Sequence, residues 1–382
     1  MPALTGIRLP LALWVVIHHI GGPGRMFEPV VGANAVVSGF IDAAWVALSV
    51  FFAISGFVLA RRYQAQRWTP AALGRYAAAR FARIYPVYLL SLIILLPIIS
   101  ETVRRDDVSA AQGTGLLLNH LLLLQAWHWP AVDWNTPAWS LSAEVFFYAL
   151  APLAVQLART PSWPRVVAAG ALACAVPLLA RLLIEPLAPK ALLYLGDFLI
   201  GIAAAGAFER LRAAGMLGVG PWLYGVATAA GVMLLLGRDL LGPFIVFDTG
   251  VRLVSALLVT GLACGGGWLV RILSSPLVLA GGQASYAIYI LHIPVVWYYR
   301  RWGYDTIGHP VAAGALYLLV VVALSLLVSR WYEAPANILV RQWLSGRRDR
   351  ERETVTVSVG EREGGREERQ TNYVREPRPS PQ

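Results

Sequence analysis

Charge is scarce in this chain and cysteine nearly absent. Only 14% of the 382 residues are Asp, Glu, Lys or Arg, against 57% hydrophobic, whereas soluble domains carry about 25% charged side chains. An ordinary soluble fold of this length is excluded. The two cysteines, Cys174 and Cys264, both fall in apolar runs, which argues against a disulfide framework and a thiolate metal site and leaves them as packing residues. No metal is expected. No basic stretch carries base-stacking aromatics outside the apolar segments, so nothing points to nucleic acid. Internal repeats are not visible. Gly21, Gly22, Pro23 and Gly24 follow the first apolar run without a small-x-small cleavage pattern, so that run reads as a retained span rather than a secretory signal.

What fills the chain instead is a series of apolar runs. Ten of them, at about 9–20, 36–60, 84–99, 138–157, 166–184, 191–208, 217–236, 251–268, 277–297 and 311–332, predict an all-α, polytopic membrane bundle of about ten transmembrane helices. The stretch from Leu116 to Trp127 is too short to cross and reads as a re-entrant or interfacial helix. Charge placement supports leaving it out. With ten crossings, Arg61, Arg62, Arg67, Arg75, Arg80 and Arg83 share the cytoplasmic side with Arg159, Arg165, Arg210, Arg212, Arg271 and Arg341, and both termini are cytoplasmic. Counting the short run would put the later arginines outside. Residues 1–344 thus form a transmembrane domain. From Ser345 apolar character vanishes and Arg alternates with Glu, so residues 345–382 read as a disordered charged tail, either solvated or docking on an acidic patch or lipid headgroup.

Four polar constellations interrupt the apolar sequence. Arg8 and His19 lie eleven positions apart; at about 100° per residue they return to within roughly 20° of one another, on one helix face and roughly 16 Å apart along the axis. His18 points about 80° away from that line. Ionisable groups this deep in a span face a protein cavity rather than lipid and mark function. Arg80 and Arg83, three residues apart before Tyr85-Pro86, put two guanidiniums on one side of a helix. Either they bridge a phosphate or pyrophosphate ligand, or they anchor the chain to anionic membrane lipid.

The third constellation is Trp139-Ser140-Leu-Ser142-Ala-Glu144-Val-Phe-Phe-Tyr148, where Ser140, Glu144 and Tyr148 recur at four-residue spacing. A buried glutamate there can pair with an imidazole, accept a substrate hydroxyl, or cap neighbouring backbone. The fourth is Ser285-Tyr286-Ala-Ile-Tyr289-Ile-Leu-His292-Ile-Pro294, which sets Ser285, Tyr289 and His292 on one face. Taken alone, His292 reads as a histidine hydrogen-bonded between helices.

Together these motifs resemble the acyltransferase-3 family of integral-membrane O-acyltransferases, from Leu4 to about Asn337. The resemblance rests on Leu4-Thr-Gly-Ile-Arg8 with the Arg-x10-His19 spacing, Phe51-Phe-Ala-Ile-Ser55-Gly56-Phe57, Arg80-x-x-Arg83, Trp139-Ser-Leu-Ser-Ala-Glu144, Ser285-Tyr286 through His292, and Tyr332-Glu333-Ala-Pro335. Ile7 and Pro10 depart from common residues beside the arginine. The resemblance implies transfer of an acyl group, commonly acetyl, from cytoplasmic acyl-CoA to a hydroxyl of a sugar, glycoconjugate or secondary metabolite, with no bound cofactor. In that reading His19 is the general base and needs no enzyme nucleophile beside it. Arg80 and Arg83 take the CoA phosphates, and Arg8 lines the passage for the pantetheine arm. Glu144 orients the imidazole or the acceptor from the outer side, and Trp139, Ser140, Tyr289 and His292 contact the acceptor, with Trp127, Trp129 and Trp134 offering further ring faces.

Two other classes share some of these features. A secondary transporter or a lipid or glycan flippase would also place His19 and Glu144 inside the membrane, with glycine-rich breaks near Gly21 and Gly265, but no inverted repeat accompanies them. A haem protein would draw on His18, His19, His120, His128, His292 and His309, among which no pair of axial ligands on facing spans stands out.

Overall fold

The computed structural model describes residues 1–21, 27, 34–105, 108–127, 134–159, 162–184, 187–243, 249–302 and 307–344. The tail expected over 345–382 lies outside the described residues, as do Trp129 and His128. The described chain is helical throughout. A short helix, Pro2–Gly6, leads into α1 (Arg8–Gly21), and Ala35–Asp42 leads into α2 (Trp45–Tyr63). There follow α3 (Pro70–Arg105), α4 (Ala110–Leu121), α5 (Ala138–Ala154), α6 (Trp163–Ile184), α7 (Leu195–Ala213) and α8 (Gly220–Leu236). The last four are α9 (Val251–Cys264), α10 (Gly267–Leu273), α11 (Pro276–Trp302) and α12 (Pro310–Val328).

Nine helical runs among the described residues are long and apolar enough to cross a membrane, and a tenth, α9 with α10, is bent by 82°. The molecule is a polytopic helical membrane bundle. The bend falls within the span expected over 251–268, at Gly265, Gly266 and Gly267, all at positive φ (84°, 79° and 78°), a region in which an L side chain is strained. The segment carrying Arg80 and Arg83 is no loop. It is the first part of α3, which runs for 36 residues and absorbs Pro86 and Pro97 in its interior, as membrane helices tolerate when neighbours satisfy the freed carbonyls. The carbonyl that Pro86 frees is that of Ala82, four residues earlier, and the Asn337 side-chain amide donates to it at 3.1 Å. The short run near Leu116 is the separate helix α4, started by a reciprocal capping box between Ser109 and Gln112.

Between membrane helices no hydrophobic force drives association, so close backbone approach decides the packing. A Cβ at Gly56 of α2 would fall 2.0 Å from the Phe198 carbonyl oxygen, and one at Gly201 of α7 would fall 2.0 Å from that of Ala53. Glycine at both positions lets α2 and α7 meet backbone to backbone. Elsewhere α11 meets the first span in the same way, with Gly282 against the Thr5 carbonyl and Gly281 against the Leu9 side chain. That second seam fixes Arg8, at the start of α1, beside α11. Peripheral α6 and α8 bury few of their side chains, whereas α7 is buried around most of its circumference.

Candidate active site

The first residues of α1 and the first half of α3 bring three arginines to one cavity. Arg8, Arg80 and Arg83 all line a space of about 230 Å³ enclosed by α1, α2, α3, α5 and α11. Each guanidinium lies over an aromatic face: Arg8 over Phe51 at 6.0 Å, Arg80 over Tyr148 at 5.4 Å, and Arg83 over Tyr286 at 5.4 Å. Attraction to the ring quadrupole stabilises a cation in a poorly hydrated place without neutralising it. The three-residue spacing of Arg80 and Arg83 therefore does present both on one side.

Glu144 enters the same cavity from α5. Its Oε1 accepts hydrogen bonds from the Tyr148 hydroxyl at 2.6 Å, one turn along its own helix, and from Ser55 of α2 at 3.1 Å. Ser140, Glu144 and Tyr148 all line the cavity, so the polar stripe read from the sequence is one physical surface. The expected pairing of Glu144 with an imidazole is not found. Its partners are hydroxyls, and it faces the arginine end of the bundle rather than an outer collar. At the far side Ser140 Oγ lies 2.8 Å from Tyr289 Oη, and Ser140 donates to the Pro137 carbonyl.

His19 stands outside this lining. Its ring lies 4.9 Å from that of His292 and 5.3 Å from that of His18. The Phe51 and Tyr289 rings, 6.2 Å apart, both line the cavity, and Tyr289 lies 6.2 Å from His292, so aromatic rings stand between the arginines and the histidines. His19 Nδ1 is 2.9 Å from the Val15 carbonyl oxygen. A carbonyl only accepts, so Nδ1 carries the hydrogen and Nε2 is the basic nitrogen. His18 uses its Nδ1 on the Ile41 carbonyl, 3.0 Å away and toward a different helix. Fully buried His292 uses its own on Tyr289, at 2.7 Å.

Other expected contact residues are placed as follows. Trp139 is absent from the cavity lining; its ring carries Lys190 Nζ at 4.8 Å and packs on Tyr194. Trp134 offers no ring face, because it is buried and stacked on His120 at 4.3 Å. Trp127 meets Phe146 edge-on. Among the described residues no group of three or more His, Cys, Asp or Glu side chains is arranged to hold a metal ion.

Sequence reasoning did not single out two features of the site. Ser55 joins Glu144 across 89 residues of sequence, a contact that helix periodicity cannot foresee. Glu333, 4% exposed, forms an ion pair with Arg83; it stands in the Tyr332-Glu333-Ala-Pro335 motif of the resemblance, which carried no role for it. Arg8 and Arg83 also line a second cavity, of about 760 Å³, between the first span, α11 and the last span, with Arg330, Glu333 and Asn337 on its wall.

The chain is 28% identical over 347 residues to acyltransferase MdmB of Streptomyces mycarofaciens, covering 84% of this chain and 87% of that protein. It is 36% identical over 96 residues to protein 2 in the picA locus of Rhizobium radiobacter, covering 24% of this chain and 42% of that one. No solved structure matches it. Residues 1–330 match the family described as an acyltransferase domain. By that match over most of its length, the chain belongs to the acyltransferase-3 family and is a membrane acyltransferase acting with an acyl donor and a hydroxyl acceptor.

Proposed function

We propose that the protein moves an acyl group, acetyl by preference, from acyl-CoA to a hydroxyl of a carbohydrate, glycoconjugate or secondary metabolite. The observation that carries this reading is the set of three arginines on one cavity with Glu144 the only carboxylate among its described lining residues. An excess of cationic forks there suits a polyphosphate-bearing donor, because guanidinium binds phosphate bidentately. His19, with Nε2 as its basic nitrogen, takes the acceptor's hydroxyl proton as the oxygen attacks the thioester carbonyl. The thiolate of CoA leaves, and the imidazolium returns the proton to it. The acyl end of the donor must pass the Phe51 and Tyr289 rings to reach that nitrogen.

Sidedness follows from charge. The arginine-rich end of the bundle is cytoplasmic under the positive-inside rule, which places both termini there and lets CoA enter from the cytoplasm and the acceptor from outside. The direct test incubates membranes containing the protein with radiolabelled acetyl-CoA and a panel of hydroxylated acceptors. Label appearing as an ester on an acceptor, lost on His19→Ala, supports the reading; a panel of acceptors that stays unlabelled while acetyl-CoA remains intact overturns it.

A further inference from the structure

The second cavity shares two guanidiniums with the first, Arg8 and Arg83, which line both spaces. On its wall Glu333 takes Arg83 in an ion pair, buried on the carboxylate side, where side-chain exposure is 5% against 30% for the arginine. The backbone around Glu333 is unusual too. Ser329–Glu333 is a π-helical turn set into the last span, which is otherwise α-helical. Such turns are rare and frequent at functional sites; here Glu333 of the turn is buried while Arg330 of the same turn is exposed. Among the described residues neither Arg8 nor Arg80 has a carboxylate ion pair; both lie over rings. Arg83 alone of the three is held by an acid.

Resting on the acyl-CoA reading above, we propose that the second cavity receives the phosphorylated end of the donor, and that Glu333 occupies Arg83 as a stand-in for a donor phosphate until that phosphate displaces it. The charge pattern supports an exchange. Six charged groups, Arg8, Arg80, Arg83, Arg330, Glu144 and Glu333, line the two spaces with two positive charges to spare, and a bound phosphate takes over the partnership that Glu333 gives up. Glu333 is the buried member of the pair, and a buried charge with no partner is costly, so the ion pair steadies the empty site at the expense of donor affinity. The phosphoryl group is the recognised chemistry. An anionic lipid headgroup shares it, and the cavity lies against the last span, so the test separates the two.

Purified full-length protein in neutral detergent is titrated with CoA, and in parallel with phosphatidylglycerol in mixed micelles. Glu333→Gln removes the competing charge and keeps the shape. It is expected to bind CoA about tenfold more tightly than the wild type, since one charge-assisted partner no longer has to be displaced. Its thermal midpoint without CoA should fall and be recovered on adding CoA. The double variant Arg83→Gln/Glu333→Gln, with neither charge present, should fold and bind CoA more weakly than the wild type. Equal or weaker CoA binding by Glu333→Gln overturns the proposal, as does a gain seen with phosphatidylglycerol and not with CoA. If Glu333→Gln does not fold, deuterium exchange of the wild type decides: CoA must change exchange across Ser329–Glu333, and an unchanged segment overturns it. Failure of the wild type to bind CoA at all would instead sink the acyl-CoA reading on which this rests.

Discussion

Replacing His19 with alanine should abolish most of the transfer, and the surroundings say by how much. Two imidazoles lie beside it, at 5.3 Å (His18) and 4.9 Å (His292), and either would blunt the loss if it could take the proton instead. His18 is poorly placed to do so, because its ring is turned toward the helix Ala35–Asp42, where its Nδ1 meets the Ile41 carbonyl at 3.0 Å. His292 is fully buried and held to its own helix through Tyr289 at 2.7 Å. Without a substitute base the full contribution of general base catalysis is lost, about 10²- to 10⁴-fold in rate, or about 3–5 kcal/mol of barrier. The assay is initial-rate acetyl transfer from radiolabelled acetyl-CoA, normalised to protein inserted in the membrane. His18→Ala, assayed alongside, should lose less than tenfold. Retention of more than a tenth of wild-type activity by His19→Ala, with His292→Ala the more damaging change, would refute the assignment of the base.

Other outcomes follow from the same geometry. Arg83→Ala should weaken CoA binding by about tenfold or more while leaving the acceptor's apparent affinity within twofold, measured by varying each substrate separately; an unaffected donor affinity would return the arginine pair to lipid anchoring. Gly201→Ala sets a Cβ 2.0 Å from the Ala53 carbonyl oxygen, so α2 and α7 must separate, at about 1–3 kcal/mol. Its thermal midpoint in detergent should drop, and an unchanged midpoint would mean that the seam is looser than it is drawn. Cysteines introduced at Asn34 and His309 should react with an impermeant thiol reagent added outside intact cells, whereas one at Arg67 should not; external labelling of Arg67 would reverse the orientation.

The sequence made legible whatever lies along a single helix. Arg8 with His19, Arg80 with Arg83, and Ser140 with Glu144 and Tyr148 are pairs or triplets within one element, and periodicity alone sets each group on a common face. Its failures are contacts between elements. Glu144 was assigned to an imidazole or an outer acceptor because distance along α5 says nothing about which turn of α2 docks against it; Ser55 took that place. Trp134 looked available as a ring face until α4 brought His120 over it, and the bend after Cys264 depends on three glycines whose φ angles no hydropathy window senses. The ion pair of Arg83 with Glu333, 250 residues apart, is likewise a product of how the last span returns to α3.

The rings beneath the three arginines have one more consequence. A guanidinium donates all of its hydrogen bonds in its own plane. Phe51, Tyr148 and Tyr286 hold Arg8, Arg80 and Arg83 at 6.0, 5.4 and 5.4 Å through the ring quadrupole, which confines each cation without cancelling its charge. They narrow the places in which three flat forks can sit before any ligand arrives. Lysine at these positions would preserve the field of the cavity while scattering its directions, because an ammonium has no plane. What the chain stores at this point is position, and charge comes with it.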